Sequence, residues 1–387
     1  MLRFESGSDE LLQDILSEDT PEVPVSNSAD GTQNLRTYSD ESQNGAEFQN
    51  AIYHGDNYEI LKKLSKDEGL AGEITLAYID PPYAANHSFE SRGGGRNDPM
   101  YRDSFEDAEY IEFMRERLVL IHHLLSEDGS LYLHIGEEMF AHVKLLLDDI
   151  FGRDNYHNII SRKKCHSKNS TKKRYGNVQD FILFYSKSED KTWERPVRPP
   201  TKEEKERAMK EYRYEEEETG RKYMLVPLHA PGERDGETGE PWNGMEPPEG
   251  KHWTYPPERL EEMDENGKVV WSKNGNPRKK VYYDSREGVP VTDMWTDVRD
   301  YYNQQQSITG YPTEKNLDLL KRVVEASSEE GDIVLDAFAG SGTTLAAADQ
   351  LNRNWIGIDK SEEAVEIMQK RLQDESGNSP FTVYTAE

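Results

Sequence analysis

The chain has 387 residues, of which 75 are acidic and 47 basic, so its formal net charge is −28. It contains no apolar run of the length that spans a bilayer and no charged-then-apolar leader at its start, which predicts a cytoplasmic protein. Cys165 is the single cysteine, which excludes an internal disulfide and a cysteine zinc cluster, and no spacing of His, Asp or Glu indicates another metal site.

The strong negative charge needs a physical explanation, because it repels DNA at long range. One interpretation is simply a well-solvated surface. The other is adaptation to high intracellular salt, as in a halophile, where charges are screened within about 3 Å at 1 M. We favour the second interpretation, because the acidic excess is spread along the chain.

The first 47 residues are rich in Ser, Asn, Asp and Glu and predict a flexible acidic segment. Within it, the apolar residues Leu11, Leu12, Ile15 and Leu16 predict a short helix. Ordered structure is expected from Phe48 onwards.

From residue 74 the pattern alternates between strands and helices. Strands are predicted at 74–79, 131–135 and 178–185, and helices at about 107–125 and 139–150. The alternation resumes late in the chain, with helices at about 313–327, from 343 and from 361, and strands at 333–337 and 355–358. Such alternation predicts a mainly parallel sheet with helices on both faces.

The alternation is interrupted between about 187 and 305, where Pro, Gly, Glu, Trp and Tyr dominate. Short strands are predicted around 223–228, 268–272 and 279–284. Three tryptophans, Trp242, Trp253 and Trp295, are expected to pack the interior of this region. We interpret it as a separate module inserted into the alternating domain.

A glycine-rich turn follows the strand that begins at Ile333. Gly340 and Gly342 let the backbone approach a ligand closely, just before a helix begins. Asp359 lies at the tip of the next strand, where a carboxylate can accept hydrogen bonds from ribose hydroxyls. The turn predicts a nucleoside cofactor site. The alternatives are a plain turn or a dinucleotide site, and the latter is disfavoured because the third glycine of G-x-G-x-x-G is missing.

A second motif ends the strand at 74–79. Asp80 stands at the strand end, where ligands of open parallel sheets bind. The carboxylate of Asp80 and the carbonyl of Pro81 can each accept one hydrogen of an amino group. Pro82 stiffens the turn, and Tyr83 offers a stacking face to a base. The alternative is ordinary turn chemistry; together with the glycine turn, the motif predicts an enzyme that methylates an exocyclic amino group of a nucleobase.

Five segments carry a resemblance to a known family: YHGDN at 53–57, YIDPPY at 78–83, LYLHI at 131–135, FILFYSK at 181–187 and YPTEK at 311–315. In type and order they resemble the β-class DNA amino-methyltransferases, in which the catalytic motif precedes the S-adenosylmethionine motif. The chain is similar to the modification subunits of type III restriction systems and to stand-alone adenine methylases. The match covers 48–187 and 308–373. Tyr311 stands where the family often has His, and Asn316 where Pro is common.

The resemblance implies a Rossmann-like, S-adenosylmethionine-dependent methyltransferase fold. This is an α/β, doubly wound, mainly parallel sheet with circularly permuted motif order and an inserted target-recognition domain. The implied divisions are an acidic segment at 1–47, a catalytic half at 48–187, the target-recognition region at 188–307, a cofactor half at 308–375 and a C-terminal tail at 376–387.

The resemblance also implies the residues of the site. The flipped base would be held by Asp80, Pro81, Pro82 and Tyr83. S-adenosylmethionine would be held by Asp56, Lys315, Asp336, Phe338, Gly340, Gly342, Thr343 and Asp359.

The implied activity is methylation of the N6 amino group of adenine in duplex DNA, by base flipping and direct in-line transfer. Asp80 favours adenine, because cytosine-N4 enzymes of the family more often have Ser there; cytosine N4 is the first alternative. RNA or protein-amide methylation is disfavoured by the motif order and the long insertion, and a non-catalytic DNA-binding module by the intact motifs. A restriction subunit and a second copy of the chain are the further partners that the resemblance allows.

A basic stretch stands out in this acidic chain. No acidic residue occurs between Ser161 and Gln179. The stretch carries Arg162, Lys163, Lys164, Lys168, Lys172, Lys173 and Arg174. We predict that it contacts DNA phosphates, the alternative being a solvated loop. A second basic set at 273–286 is mixed with aromatic residues and is equally compatible with DNA contact and with an ordinary strand surface.

Overall fold

The computed structural model describes residues 7–18, 48, 50–66, 69–82, 107–165, 173, 175–283, 288–300, 309, 311, 314–375 and 379–385. The chain divides into two compact units. The first comprises Met1–Pro196 and Val291–Glu387, and the second Val197–Pro290. In these described ranges, no helix is long and apolar enough to cross a membrane.

Among its described residues, the N-terminal part of the first unit has four α-helices and five strands. The helices are α1 (Ser8–Ser17), α2 (Asn57–Lys66), α3 (Asp107–Leu124) and α4 (Phe140–Ile150). The strands are β1 (Asn50–His54), β2 (Ile74–Ile79), β3 (Leu125–Ile135), β4 (Tyr156–Lys163) and β5 (Gln179–Ser186).

The second unit consists of short elements. Its strands are β6 (Val197–Arg198), β7 (Tyr214–Glu215), β8 (Lys222–Pro227), β9 (His229–Pro231), β10 (Lys251–Trp253), β11 (Val269–Trp271), β12 (Pro277–Tyr282) and β13 (Val289–Pro290). Its helices are α5 (Lys202–Glu211) and α6 (Pro257–Glu265). The three strands predicted for this region are present as β8, β11 and β12.

The chain then returns to the first unit. The returning strands are β14 (Met294–Trp295), β15 (Ile333–Asp336), β16 (Asn354–Asp359) and β17 (Phe381–Thr385). The returning helices are α7 (Leu317–Ser327), α8 (Thr343–Gln350) and α9 (Glu362–Glu375).

The first unit is built around one nine-stranded sheet in the order β14-β4-β5-β3-β2-β15-β16-β1-β17. All neighbouring strands are parallel except β5, which runs antiparallel to β3 and β4. The register aligns Leu76 with Val334 and Tyr78 with Tyr132. The predicted mainly parallel sheet is confirmed. The strands β2 and β15, whose ends carry the two predicted motifs, are neighbours in the middle of it.

Helices cover both faces of this sheet. Successive residues of a strand point to opposite sides, so the central strands contribute to two cores. On one face Ile79 and Leu335 pack with α1 to α4, and on the other Tyr78 and Val334 pack with α7 to α9. Burial on both faces explains the unbroken apolar sequences of β2 and β15. The predicted doubly wound α/β fold is therefore confirmed.

The short helix predicted near the N-terminus forms as α1 and packs on the first unit. Ile15 is buried in the core, in contact with the layer of α2 and α3. Just beyond the helix, Glu18 Oε2 accepts a 2.8 Å hydrogen bond from the buried Lys62 Nζ. The apolar stripe of α1 finds a partner surface, so the predicted helix packs against the first unit.

The second unit has a small core of its own. It consists of Leu228, Trp242, Trp253, Leu260, Met263 and Val269. The unit also contains a four-stranded antiparallel sheet in the order β11-β12-β8-β7. Trp242 and Trp253 pack this interior as predicted. The assignment of Trp295 to it is wrong: Trp295 lies in the core of the first unit, because β14 has already rejoined the large sheet.

Candidate active site

The carboxyl ends of four adjacent parallel strands each lead to an aspartate. β1 leads to Asp56, β2 to Asp80, β15 to Asp336 and β16 to Asp359. Because the carboxyl ends of parallel strands meet at one edge of the sheet, these carboxylates share that edge. The fold thereby brings the two predicted motifs together from distant parts of the chain.

Asp80 begins the DPPY turn immediately after β2. Its side chain is 19% exposed, and its Oδ2 lies 2.5 Å from Nζ of Lys315. Pro81 is buried and Pro82 partly buried; their rings fix the backbone and carry no N–H. Lys315, which we predicted to line the cofactor pocket, therefore contacts the predicted catalytic carboxylate. Tyr83, predicted to stack on the base, lies outside the described residues.

The residues on either side of Lys315 are held firmly. Glu314 is buried; its Oε1 accepts a 2.7 Å hydrogen bond from Arg371 and its Oε2 a 2.8 Å hydrogen bond from the hydroxyl of Thr309. Asn316 is the N-cap of α7, and its side chain accepts a backbone N–H of the first turn. Asn316 thus has a local structural role at the position where the family often has Pro.

The glycine-rich turn after β15 requires its two glycines. Gly340 has φ +51° and Gly342 has φ +72°, a left-handed conformation that other residues rarely adopt. A Cβ on Gly342 would lie 2.7 Å from Cγ of Met368 in α9. The turn is therefore packed closely against α9 at Gly342, and Cε1 of Tyr311 lies 3.6 Å from where a Cβ of Gly340 would stand.

Asp336 supports this turn from within. Its Oδ1 accepts a 3.0 Å hydrogen bond from the amide of Phe338, and its Oδ2 a 2.6 Å hydrogen bond from the hydroxyl of Thr344. Burial raises the pKa of Asp336 to about 7, against these two hydrogen bonds, and the nearby Asp80 and Asp359 raise it further. The carboxyl ends of β2, β15 and β16 thus form one electrostatically coupled site.

Asp359 ties the end of β16 to the glycine turn. Its Oδ2 accepts a 2.8 Å hydrogen bond from the amide of Gly340, and its Oδ1 a 2.9 Å hydrogen bond from the amide of Ser361. Burial raises the pKa of this carboxyl, and the two amides oppose the shift. Ser361 caps α9 as predicted, because its hydroxyl accepts the amide of Ala364 at 3.3 Å. Ribose binding by Asp359 stays a prediction.

The end of β1 is fastened to the same turn. Asp56, whose side chain is 53% exposed, accepts a 3.2 Å hydrogen bond from Arg117 of α3. Asn57 accepts a second hydrogen bond from Arg117 at 2.6 Å and donates one to the carbonyl of Ala337 at 2.8 Å. Arg117 and Asn57 were not predicted, and they hold the predicted residue Asp56 in place.

S-adenosylmethionine fits the chemistry of this edge. Its sulfonium group is positive, and the carboxyl groups of Asp80 and Asp359 lie close enough to that of Asp336 to interact with it, which favours a cationic group beside them. Phe338, whose ring centroid lies 6.1 Å from that of Phe113, adds apolar surface beside the glycine turn. The side chain of Thr343 is buried and accepts a 2.8 Å hydrogen bond from Arg371, so it supports the turn; its contact with the cofactor stays a prediction. Among the described residues, no group of three or more His, Cys, Asp or Glu side chains is placed to hold a metal ion.

The prediction that Arg162 contacts DNA is wrong. Arg162 lies in β4, where the two-residue period points it to the same buried side as Ile160. Its guanidinium is fully buried and lies 2.6 Å from Oδ2 of Asp180 and 2.6 Å from Oδ1 of Asp300. A buried side chain with these two partners cannot reach a phosphate.

For the other members of the basic stretch, contact with DNA phosphates stays a prediction. Lys163 points away from Arg162 in β4, Lys163 and Lys164 are partly exposed, and Lys173 is exposed. Lys168, Lys172 and Arg174 lie outside the described residues.

A buried polar chain that we did not predict crosses the sheet beneath the site. Nε2 of His134 lies 2.9 Å from Oδ2 of Asp180, and its Nδ1 lies 2.7 Å from the hydroxyl of Tyr78. Burial alone would raise the pKa of Asp180, but His134 and Arg162 hold it well below its usual range. The signal in the sequence was a histidine inside the apolar strand LYLHI.

Arg371 was missed as well. It lies on the apolar stripe of α9 beside Met368 and Leu372, three and one positions away, and its side chain is buried. A charged residue on a buried helical stripe is the signal that could have identified it.

The chain is similar to known DNA methyltransferases over most of its length. It is 45% identical over 335 residues to the type II methyltransferase M.EcaI of Enterobacter cloacae, covering 87% of this chain and 71% of that protein. It is 28% identical to a probable type III restriction-modification Mod subunit, HindVI, of Haemophilus influenzae, covering 90% and 54%. It is 25% identical to the DNA adenine methyltransferase YhdJ of Escherichia coli, covering 83% and 82%.

The model of the N6/N4 family, which is described as DNA methylase, matches residues 74–370 of this chain. The match begins at β2 and ends in α9, so it includes Asp80, the glycine turn and the insertion between them. The methyl donor of this family is S-adenosylmethionine, which confirms the predicted cofactor. The chain belongs to the N6/N4 family of DNA methylases and is an S-adenosylmethionine-dependent DNA methyltransferase.

Proposed function

We propose that this enzyme methylates the N6 amino group of adenine at a specific sequence in duplex DNA. One observation carries the proposal: Asp80 follows β2, and the glycine turn follows β15, its parallel neighbour. An acceptor for an amine and a turn suited to the methyl donor therefore lie side by side.

Two further observations support adenine. Asp stands at position 80, where the resemblance associates Ser more often with cytosine-N4 enzymes. The similarity to YhdJ covers 82% of that protein, and YhdJ is named a DNA adenine methyltransferase. Cytosine N4 is the second candidate, because the same acceptors can hold its exocyclic amine.

The chemistry rests on orienting the amine. The carboxylate of Asp80 and the carbonyl of Pro81 accept its two hydrogens, so the nitrogen lone pair points out of the plane of the base. S-adenosylmethionine supplies a methyl group whose bond to sulfur breaks as the bond to nitrogen forms. The carboxylate of Asp80 stabilises the positive charge that develops on the nitrogen and accepts the proton that the nitrogen loses, and S-adenosylhomocysteine is the leaving group. Lys315, 2.5 Å from Oδ2 of Asp80, holds the carboxylate in this orientation.

DNA must present the base to this pocket. We expect the adenine to leave the duplex, because its amine cannot reach Asp80 within a base stack. Lys163, Lys164 and Lys173 are placed on or after β4 and supply positive charge in a strongly acidic chain. The second unit, Val197–Pro290, is proposed as the reader of the target sequence. A restriction subunit partner is proposed from the similarity to a Mod subunit, and a homodimer stays a prediction.

Nucleoside mass spectrometry of DNA from a methylation-free bacterial host tests the base assignment. Expression of this chain should add N6-methyladenine at one short sequence, and the Asp80→Ala variant should add none. N4-methylcytosine would establish the second candidate. Unmodified DNA from a well-folded, cofactor-binding preparation would refute the proposed activity.

A further inference from the structure

Arg371 joins two parts of the site that are far apart in the sequence. From its buried position in α9, Nη1 donates to the hydroxyl of Thr343 at 2.8 Å and to the carbonyl and hydroxyl of Ser341 at 3.2 Å. Its Nη2 donates to Oε1 of Glu314 at 2.7 Å, and the two side chains are 0% and 2% exposed. One guanidinium therefore binds both the glycine turn and the segment that precedes α7.

Glu314 is held on both of its oxygens. Oε1 meets Arg371, and Oε2 accepts the hydroxyl of Thr309 at 2.8 Å and its amide at 3.2 Å. Because neighbouring residues share a peptide unit, fixing Glu314 also fixes the starting point of the Lys315 side chain. Nζ of Lys315 in turn lies 2.5 Å from the carboxylate of Asp80.

We propose that Arg371 and Glu314 are positioning residues that couple the cofactor turn to the catalytic carboxylate through Lys315. The inference rests on the proposed role of Asp80. A ligand that orders the turn at Ser341 would restrain Arg371, and through Glu314 would place Lys315 against Asp80. Coupling between binding sites is reciprocal, so loosening Glu314 must weaken a ligand that Glu314 does not touch.

Glu314→Gln is the central variant, because it removes the charge and keeps the shape. Binding of S-adenosylhomocysteine, measured by calorimetry without DNA, should weaken about 5-fold or more. The single-turnover methylation rate should fall about 10-fold or more, while DNA affinity changes less than about 2-fold. Glu325→Gln is the matched control, since Glu325 is exposed on the following helix and should leave all three values unchanged.

A second pair of variants covers the case in which Glu314→Gln fails to fold. Arg371→Lys keeps the charge but loses the forked geometry that serves Ser341 and Glu314 together. It should show the same losses of ligand affinity and of methylation rate, each smaller than in Glu314→Gln. Arg322→Lys is its control, because Arg322 pairs with the exposed Asp297 and with no residue of the turn that Arg371 binds.

Hydrogen exchange gives a readout that is independent of methylation. In the wild-type chain, saturating S-adenosylhomocysteine should slow amide exchange in residues 314–316; in Glu314→Gln this protection should be lost while the glycine turn is still protected. Equal ligand affinity in Glu314→Gln and Glu325→Gln, or unchanged protection at 314–316, would overturn the coupling. A wild-type chain that binds ligand but never methylates DNA would instead refute the proposed function.

Discussion

Nζ of Lys315 lies 2.5 Å from Oδ2 of Asp80, and the two residues come from the two halves of the domain that the second unit separates. Asp80 follows β2, whereas Lys315 precedes α7. The contact fixes the carboxylate to which we expect the substrate amine to bind. Loss of this contact should therefore affect the chemical step more than DNA binding.

Replacing Lys315 with Met tests this relationship. The single-turnover methylation rate should fall by about 10- to 100-fold, because misplacing a reacting group by about 1 Å costs a factor of this order. DNA affinity, measured by fluorescence anisotropy, should stay within about 2-fold, since the side chain is only 14% exposed. Lys315→Arg should retain more activity, because it keeps a positive charge near Asp80.

Lys321→Met is the control for that experiment, since Lys321 lies in α7 and loses the same charge. A Lys315→Met enzyme that works at the wild-type rate would show that the ion pair has no part in catalysis.

The buried carboxyl of Asp336 should make stability depend on pH. Burial raises its pKa from 3.8 to about 7, so between these values the folded chain holds a proton that the unfolded chain releases. The full contribution to stability is present below pH 3.8, the unfolded pKa, and it is lost as the pH rises through the folded pKa of about 7. Asp336→Asn should therefore become more stable relative to wild type from about pH 5 to about pH 8, measured by urea unfolding.

Cofactor binding gives an independent check. A positive sulfonium favours the ionised form of Asp336, so affinity for S-adenosylmethionine should rise with pH by up to about 10-fold per unit below pH 7. S-adenosylhomocysteine, which lacks the sulfonium charge, should show a smaller slope. Identical pH slopes in wild type and Asp336→Asn, for both stability and binding, would contradict the assignment.

Mutation of Arg162 should lower the stability of the fold, whereas mutation of Lys163 and Lys164 should lower DNA affinity. Arg162→Met removes the two hydrogen bonds that the guanidinium donates to the buried Asp180 and should cost about 3–5 kcal/mol of unfolding free energy. The double variant Lys163→Gln/Lys164→Gln should keep its stability, because both side chains are partly exposed. Its DNA affinity should fall to a similar extent on all sequences, and the slope of log affinity against log salt should drop by about 2.

The two variants serve as each other's control. A stable Arg162→Met protein with weakened DNA binding would show that Arg162 contacts DNA. An unchanged salt slope in the double lysine variant would show that Lys163 and Lys164 do not contact DNA phosphates.

The net charge of −28 predicts a salt-dependent fold. Raising KCl from about 0.1 M to about 3 M should increase the melting temperature, because screening shortens the range of self-repulsion to a few Å. Thermal scans in sucrose of equal osmolality separate screening from general exclusion effects. Full stability and activity in dilute buffer would contradict adaptation to salt.

The sequence was sufficient for the central strands and for the motifs at their ends. β2 and β15 are buried on both faces, so their apolar runs are unbroken, and Asp80 and the glycine turn follow directly. The N-cap at Ser361 could also be predicted, because capping depends on local sequence.

The strand next to one edge of the sheet, β4, could not be predicted from its sequence. β4 reads YHNIISRK, and without a partner strand this sequence has too few apolar residues to indicate burial. Arg162 is buried only because β5 supplies Asp180 and the returning chain supplies Asp300. Contacts of this kind depend on tertiary placement, which local periodicity does not encode.

The same reason explains what was missed in the site. Lys315 matched a family motif, but its contact with Asp80 requires the sheet order that places β2 beside β15. Arg371 lies in α9 and Glu314 in the segment that precedes α7, so their ion pair depends on tertiary packing that the local sequence of neither segment indicates.

The most direct test of the proposed activity is a comparison of wild type with Asp80→Ala in one assay. Both proteins should bind S-adenosylhomocysteine with similar affinity, while only wild type transfers a labelled methyl group to duplex DNA, where it appears as N6-methyladenine. Asp80→Ala should lose at least about 100-fold in rate, as expected when a hydrogen-bond acceptor at the reacting centre is removed. Methylation by Asp80→Ala at the wild-type rate would contradict the role given to Asp80.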